Sequence, residues 1–105
     1  MSYERIVVIG HIGSVDVLTS NAGNEYIRLT AAVNRGSADQ KTTVWYSVLF
    51  FNGFAREKDK FLAKYKKGKK IVIEGRPQVE AFVKKDGSPG LDNTIIAISM
   101  PELLD

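Results

Sequence analysis

The sequence has no cysteine and only one histidine, His11, among its 105 residues. The absence of cysteine excludes a disulfide framework and a thiolate metal site, and one imidazole leaves little for zinc binding or histidine-based catalysis. No stretch approaches the roughly 18 apolar residues of a membrane span, and the first residues lack the apolar run of a signal peptide. We therefore expect a single cytoplasmic domain over residues 1–105, with no metal, no cofactor and no membrane partner.

Motifs that support catalysis are also missing. Gly68-Lys69-Lys70 lacks the upstream glycine and the hydroxyl of a phosphate loop. Gly10-x-x-Gly13 is only a fragment of a dinucleotide-binding motif, and we interpret it as a strand bend where a barrel coils. Carboxylates are scattered and mostly lie beside lysines, so no acid–base pair can be nominated. We predict that the protein is not an enzyme.

The hydrophobic pattern predicts five strands and one helix. Alternation and β-branched runs indicate strands near 6–13, 26–34, 42–51, 70–84 and 94–100, with a hairpin tip at 86–90 and a stop at Pro101. Pro77 requires the fourth strand to lie at an edge or to bulge there. An apolar stripe of helical spacing predicts a helix over 54–65: Phe54, Phe61, Leu62 and Tyr65. This order is typical of a mostly all-β, five-stranded Greek-key OB-fold barrel with one helix between strands 3 and 4.

Aromatic residues are interleaved with basic ones on one side of the predicted sheet. Trp45 and Phe51 share a face of the third strand, about 20 Å apart at the usual rise. Phe82 lies in the otherwise polar phase of the fourth strand, beside Arg76 and Lys84. Such rings can stack on nucleic-acid bases, worth about 1–3 kcal/mol per base, while cations hold the phosphates. The alternative is that each ring belongs to the core or to a dimer interface.

Lysine is concentrated in one segment of a chain whose net charge is only +3. Residues 56–70 hold eight of the fifteen basic residues and two acidic ones, a local net charge of +6. This segment is either a solvated helix face or an electrostatic track for phosphates. Lys66 and Lys67 are favoured for the second role because they lie at the predicted helix end, next to the fourth strand.

Four segments resemble the bacterial and phage-type single-stranded DNA-binding protein family. Residues 43–51 match its Thr-x-Trp-x-x-Val-x-x-Phe strand, and residues 68–76 are similar to its Gly-x-x-Val-x-Ile-Glu-Gly-x strand. Residues 28–32 and 9–13 look like its Asn-Phe-x-Leu-Ala and Val-Gly-Asn-Leu-Gly segments. The resemblance runs in order from about Ile6 to Met100.

The resemblance implies an OB-fold that binds single-stranded DNA with little sequence specificity and protects it in replication, recombination and repair. It places stacking rings on Trp45, Phe51 and Phe82, and a phosphate-binding lysine on Lys67. The predicted DNA-binding set is completed by polar and basic residues of the strands and loops: Arg28, Thr30, Arg35, Arg76 and Lys84. A homo-oligomer, a tetramer or a dimer, is implied, with four residues expected at its interface: Val7, Ile9, His11 and Tyr46.

The long acidic tail of that family has no counterpart in residues 1–105. We therefore expect a truncated member, a phage- or plasmid-type member, or one that does not recruit replication proteins through such a tail. Two other functions stay open. One is an interaction protein of the primosomal PriB type, which acts mainly by binding proteins at the replication fork. The other is an oligosaccharide-binding domain or an enzyme accessory subunit, against which the lysine-rich segment argues.

Overall fold

The computed structural model describes residues 4–37, 39–87 and 89–104, and for residues 79–83 and 89–92 it describes the backbone alone. The described chain forms six strands and one short helical segment. A 3₁₀ segment, Asn52–Glu57, leads directly into helix α1, Lys58–Lys64. The strands are β1 (Ile6–Thr19), β2 (Glu25–Arg35), β3 (Thr42–Phe50), β4 (Lys70–Val83), β5 (Pro89–Ala97) and β6 (Glu102–Leu103).

Strand pairing closes the sheet into a barrel. The long strand β1 pairs antiparallel with β2 through its second half and with β4 through its first half. Strand β3 pairs antiparallel with β2 and parallel with β5, and β5 returns antiparallel to β4. The register of β1 shifts between Ile12 and Ser14, so Gly13 lies at a bend of the barrel. The predicted five-stranded OB-fold barrel with a helix between strands 3 and 4 is confirmed.

Alternating side chains of the strands fill the barrel. On β2, Ile27, Leu29 and Ala31 are fully buried, which confirms the predicted phase of that strand. Helix α1 closes one end of the barrel with Phe61 and Tyr65, whose ring centroids lie 4.5 Å apart. The Tyr65 hydroxyl donates a 2.7 Å hydrogen bond to the carbonyl oxygen of Pro101 and so satisfies its polar atom.

The α-helix is shorter than the predicted helix over 54–65, because a 3₁₀ segment takes the place of its first turns. Asn52 has a left-handed backbone with φ 56, which turns the chain sharply after β3. The amide of Phe54 then donates to the Phe51 carbonyl at 3.3 Å, so the first turns are 3₁₀ and the α-helix begins only at Lys58. Leu62 was expected on the apolar stripe, but it is exposed because the short helix turns only Phe61 and Tyr65 inward.

The end of the chain also differs from the prediction. Strand β5 begins at Pro89 and stops at Ala97, and Pro101 does not end the pairing. Glu102 pairs with Val72 of β4, and the Leu104 amide donates to the Lys70 carbonyl at 2.9 Å, which adds the short strand β6. Pro77 pairs with β5 alone in the described ladders, since β1 leaves β4 at Gly75, which confirms the predicted edge position.

Candidate nucleic-acid interface

Trp45 lies on the outer face of the barrel, where β1, β2 and β3 run side by side. Its side chain is 55% exposed, while its neighbour Tyr46 is buried on the other side of the strand. The indole reaches across to Gly13 of β1: a Cβ at Gly13 would overlap Trp45 Cζ3 and lie 3.0 Å from Trp45 Cη2 and from Thr30 Oγ1. Gly13 therefore allows the indole to lie against the sheet with one side open to solvent.

A second aromatic group occupies the opposite end of the same face. The rings of Tyr26 and Phe51 are 5.2 Å apart between centroids and inclined by 36°. Phe51 is 37% exposed and follows the last residue of β3. Sequence reasoning identified Phe51 but not Tyr26, although Tyr26 shares the outward phase of β2 with Arg28 and Thr30.

Polar side chains lie between the two aromatic ends. The hydroxyls of Ser14 and Thr30 are 2.7 Å apart, and either can be the donor. Next to them, Arg28 Nη2 lies 3.6 Å from Asp16 Oδ2. The predicted residues Arg28 and Thr30 are thus placed between Trp45 and Phe51, whereas Ser14 and Asp16 became apparent only from the pairing of β1 with β2.

The outer face continues around the barrel to β4. In the register, Arg28 lies opposite Leu49, Leu49 opposite Ile96, and Ile96 opposite Arg76. Directly opposite residues point to the same face of a sheet. Arg76 therefore shares the outer face with Arg28, three strand spacings of about 4.8 Å away.

Two more predicted residues belong to the hairpin of β4 and β5. Phe82 pairs with Gly90 through the backbone, and its side chain lies outside the described residues. Lys84 is exposed just after β4. Their backbone positions place them toward the turn of this hairpin, while Arg76 lies in the middle of β4.

The lysine-rich segment approaches the aromatic face at one turn. The Gly68 amide donates to the Ile12 carbonyl at 2.8 Å, and the Ile12 amide donates to the Lys69 carbonyl at 2.9 Å. Since Gly13 follows Ile12, this turn is attached to β1 beside the residue that the indole covers. Gly68 has φ +91, a conformation that side chains rarely adopt, so glycine suits the turn. Lys67 is exposed in this turn, as predicted.

The lysines of this segment differ in their partners. Lys58 contacts both carboxylate oxygens of Glu25 at 2.9 and 2.8 Å, and this hydrogen bond together with the charge of Glu25 raises the pKa of Lys58. Lys60 Nζ lies 3.4 Å from Glu57. Within the described residues, no carboxylate pairs with the exposed lysines of the turn: Lys66, Lys67 and Lys69. The turn therefore carries three exposed lysines without a carboxylate partner, and it is bonded to β1 at Ile12, next to Gly13.

Arg35 and Tyr46 are not part of the outer face. Arg35 continues the inward phase of Ile27 and Leu29, and its Nη2 donates a 2.8 Å hydrogen bond to the Tyr46 hydroxyl. Tyr46 was expected at an oligomer interface, but it is buried in the barrel core, because its position in β3 points inward opposite Ala31. Arg35 is exposed and remains a predicted DNA-binding residue, but its observed hydrogen-bond partner is Tyr46 and it does not share the phase of Arg28 and Thr30.

The other expected interface residues lie on the outer surface of the first half of β1. Val7 and Ile9 are 57% and 52% exposed on the first half of β1, and His11 continues their phase. They pair with Glu74, Val72 and Lys70 of β4, respectively. This surface adjoins the Trp45 face at its His11 end, since His11 also pairs with Ala32 of β2, and Ala32 pairs with Trp45 of β3.

The described residues contain no cluster of three or more side chains suited to a metal ion. No helix in the described part of the chain is long and apolar enough to cross a membrane.

Comparison with known proteins agrees with an OB-fold barrel. The chain matches the model of the Single-strand binding protein family over residues 3–102. The protein belongs to this family, which confirms the resemblance inferred from the four sequence segments.

Curated relatives include the single-stranded DNA-binding proteins of Xanthomonas axonopodis pv. citri and Xanthomonas campestris pv. campestris, each 24% identical over 94% of this chain. The chain spans somewhat more than half of their length, 57% and 59%.

Solved structures show the same fold. The Plasmodium falciparum SSB, described in complex with ssDNA, matches with a TM-score of 0.69 at 17% identity, covering all of this chain and 97% of that one. The small single-stranded DNA-binding protein of Streptomyces coelicolor matches with a TM-score of 0.64 at 18% identity, covering 94% and 93%. The mitochondrial single-stranded DNA-binding protein of S. cerevisiae matches with a TM-score of 0.60 at 24% identity, covering 100% of this chain and 98% of that one.

Proposed function

We propose that this protein binds single-stranded DNA with little sequence specificity, by stacking bases on exposed rings and holding phosphates with lysine and arginine. The observation that carries the proposal is the position of Trp45, a large apolar ring that is 55% exposed yet fixed against Gly13. A ring in this position adds little to the core. Its open side offers a stacking surface worth about 1–3 kcal/mol per base.

The arrangement of the outer face supports a path for single-stranded DNA that runs from Trp45 to the Tyr26–Phe51 pair. DNA on this path crosses Arg28 and passes Thr30 on β2. At its Trp45 end it meets the turn that carries Lys66, Lys67 and Lys69. Arg76 lies beyond β5 on the same outer face, and Phe82 and Lys84 extend the proposed path toward the β4–β5 hairpin.

Low sequence specificity is consistent with the groups on this face. All four bases offer a π-face to an aromatic ring, so stacking alone does not select among them. The Ser14–Thr30 hydroxyl pair can present either a donor or an acceptor, since either atom can donate within the pair. Cationic side chains contact the phosphates, which carry no sequence information.

The same protein forms a homo-oligomer through the first half of β1. Val7 and Ile9 place two adjacent aliphatic side chains in solvent, each more than half exposed. Half-buried Val72 lies opposite Ile9 on β4 and extends the apolar surface. Covering this surface removes apolar area from water.

In the cell, the protein acts as a non-catalytic cytoplasmic factor. It covers single strands exposed in replication, recombination and repair, and it works together with replication proteins. The family to which the chain belongs supports this role.

Binding is tested by fluorescence anisotropy with a labelled oligo-dT and the variant Trp45→Ala. We expect the Kd to rise about 5- to 150-fold, the equivalent of about 1–3 kcal/mol for one stacked base. Leu62→Ala is the matched control, because Leu62 is an exposed apolar residue on α1, away from the face. Equal losses in both variants, or an unchanged Kd in Trp45→Ala, would refute the proposed role of Trp45.

A further inference from the structure

The middle of the outer face carries an acidic side chain where a phosphate would be expected to pass. Asp16 of β1 lies directly opposite Arg28 of β2. Along β2, Arg28 is flanked on the same face by Tyr26 and Thr30, so its guanidinium lies between the two aromatic ends. A DNA strand that contacts both Trp45 and Phe51 along this face passes Arg28.

The ion pair of Asp16 and Arg28 is a weak one. The closest atoms, Arg28 Nη2 and Asp16 Oδ2, are 3.6 Å apart, longer than a good charge-assisted hydrogen bond. Both side chains are nearly half exposed, 48% for Asp16 and 43% for Arg28, so water and salt screen the attraction. Arg28 Nε is buried and has no hydrogen-bond partner among the described residues, so the paired conformation leaves one donor unsatisfied.

We propose that Asp16 is an internal competitor of the DNA phosphate for Arg28 and thereby sets the affinity and salt dependence of the site. This inference rests on the proposed function and adds a regulatory residue to it. In the free protein, Asp16 holds the guanidinium. In the complex, a phosphate replaces the carboxylate, and Asp16 is left near the phosphate backbone as a repelling charge.

The competition has two physical consequences. Breaking the Asp16–Arg28 pair and placing Asp16 near a phosphate both lower the affinity. The freed carboxylate also takes up a cation from solution, which offsets part of the counterion release that drives binding. Removal of the Asp16 charge is therefore expected to tighten binding and to make it more sensitive to salt.

The test is oligo-dT binding to Asp16→Asn, which keeps the shape of the side chain and removes its charge. We expect a Kd about fivefold lower at low salt, the size of one unit-charge interaction at about 4 Å in water. The gain should shrink as salt rises, because the Debye length falls to about 10 Å at 0.1 M. The plot of log K against log salt should steepen by up to about 0.7, one phosphate's worth for a single strand.

Two controls make the result specific. Glu4→Gln removes the same charge at an exposed position before β1 and should leave the Kd nearly unchanged. In an Arg28→Gln background, Asp16→Asn should bring a clearly smaller gain, because the competition for Arg28 is gone and only the repulsion between Asp16 and a phosphate is left. Asp16→Ser serves as a second neutral variant, and thermal unfolding confirms that each variant is folded.

Three results would overturn the proposal. Weaker binding by folded Asp16→Asn would mean that Asp16 positions Arg28 for the phosphate rather than competing with it. An equal gain with and without Arg28 would mean that Asp16 acts only by general repulsion. If the wild-type protein does not bind oligo-dT at all, the proposed function itself fails, and that result is distinguishable from a failure of the Asp16 effect.

Discussion

Replacement of Gly13 by alanine is expected to disturb the Trp45 surface without touching Trp45 itself. The added methyl would overlap Trp45 Cζ3 and lie 3.0 Å from Thr30 Oγ1, so the indole must tilt away from β1. A tilt that prevents stacking costs up to the energy of one stacked base, about 1–3 kcal/mol or about 5- to 150-fold in Kd. The indole is mostly exposed and can move, and alanine restricts the unfolded chain by only about 0.4–1 kcal/mol, so the free energy of unfolding should change by less than about 1 kcal/mol.

The assay is oligo-dT anisotropy together with urea unfolding of Gly13→Ala. Gly53→Ala is the matched control, since a Cβ at Gly53 meets nothing within 4 Å. In a Trp45→Ala background, Gly13→Ala should have no further effect, because the ring that it displaces is absent. Wild-type affinity in Gly13→Ala, or an additive loss in the double variant, would refute the reasoning that Gly13 acts through Trp45.

Two further predictions concern the oligomer and the barrel end. Ile9→Glu should lower the solution mass measured by light scattering, because it puts a charge on the exposed β1 surface through which the oligomer forms. Leu62→Glu on α1 is the control and should leave the mass unchanged. An unchanged mass in Ile9→Glu would exclude this surface as the interface. Tyr65→Phe should lower the free energy of unfolding by about 1–3 kcal/mol, because the 2.7 Å hydrogen bond to Pro101 is buried, and should leave oligo-dT binding unchanged. Unfolding in urea identical to wild type would contradict the second prediction.

The sequence predicts the barrel and the phase of its strands because both depend on local alternation. Trp45 and Phe51 could be assigned to one face of the predicted third strand because their spacing of six residues is even, and both are exposed. The helix boundaries were less predictable. The left-handed backbone at Asn52 and the 3₁₀ segment that follows it cannot be recognised from an apolar stripe of helical spacing, which predicts a helix but not its type or its first residue.

Features that depend on contacts between strands could not be predicted. The packing of Trp45 on Gly13 and of Tyr26 on Phe51 requires the register of β1 with β2 and of β2 with β3. The Asp16–Arg28 pair has the same origin, since its members are twelve residues apart and meet only across the β1–β2 ladder. Alternation on β2 contained the signal that Arg35 shares the phase of Ile27 and Leu29, but its place at the start of a polar loop obscured that signal.

The central claim, that an exposed Trp45 stacks on single-stranded DNA, is tested most directly by the intrinsic fluorescence of the protein. The chain has one tryptophan, so excitation at the long-wavelength edge, where tyrosine does not absorb, isolates the signal of Trp45. Titration with oligo-dT at low salt should quench this fluorescence until the site is saturated. The logarithm of the binding constant should fall linearly with the logarithm of the salt concentration. An unchanged emission at micromolar protein and low salt would contradict the claim.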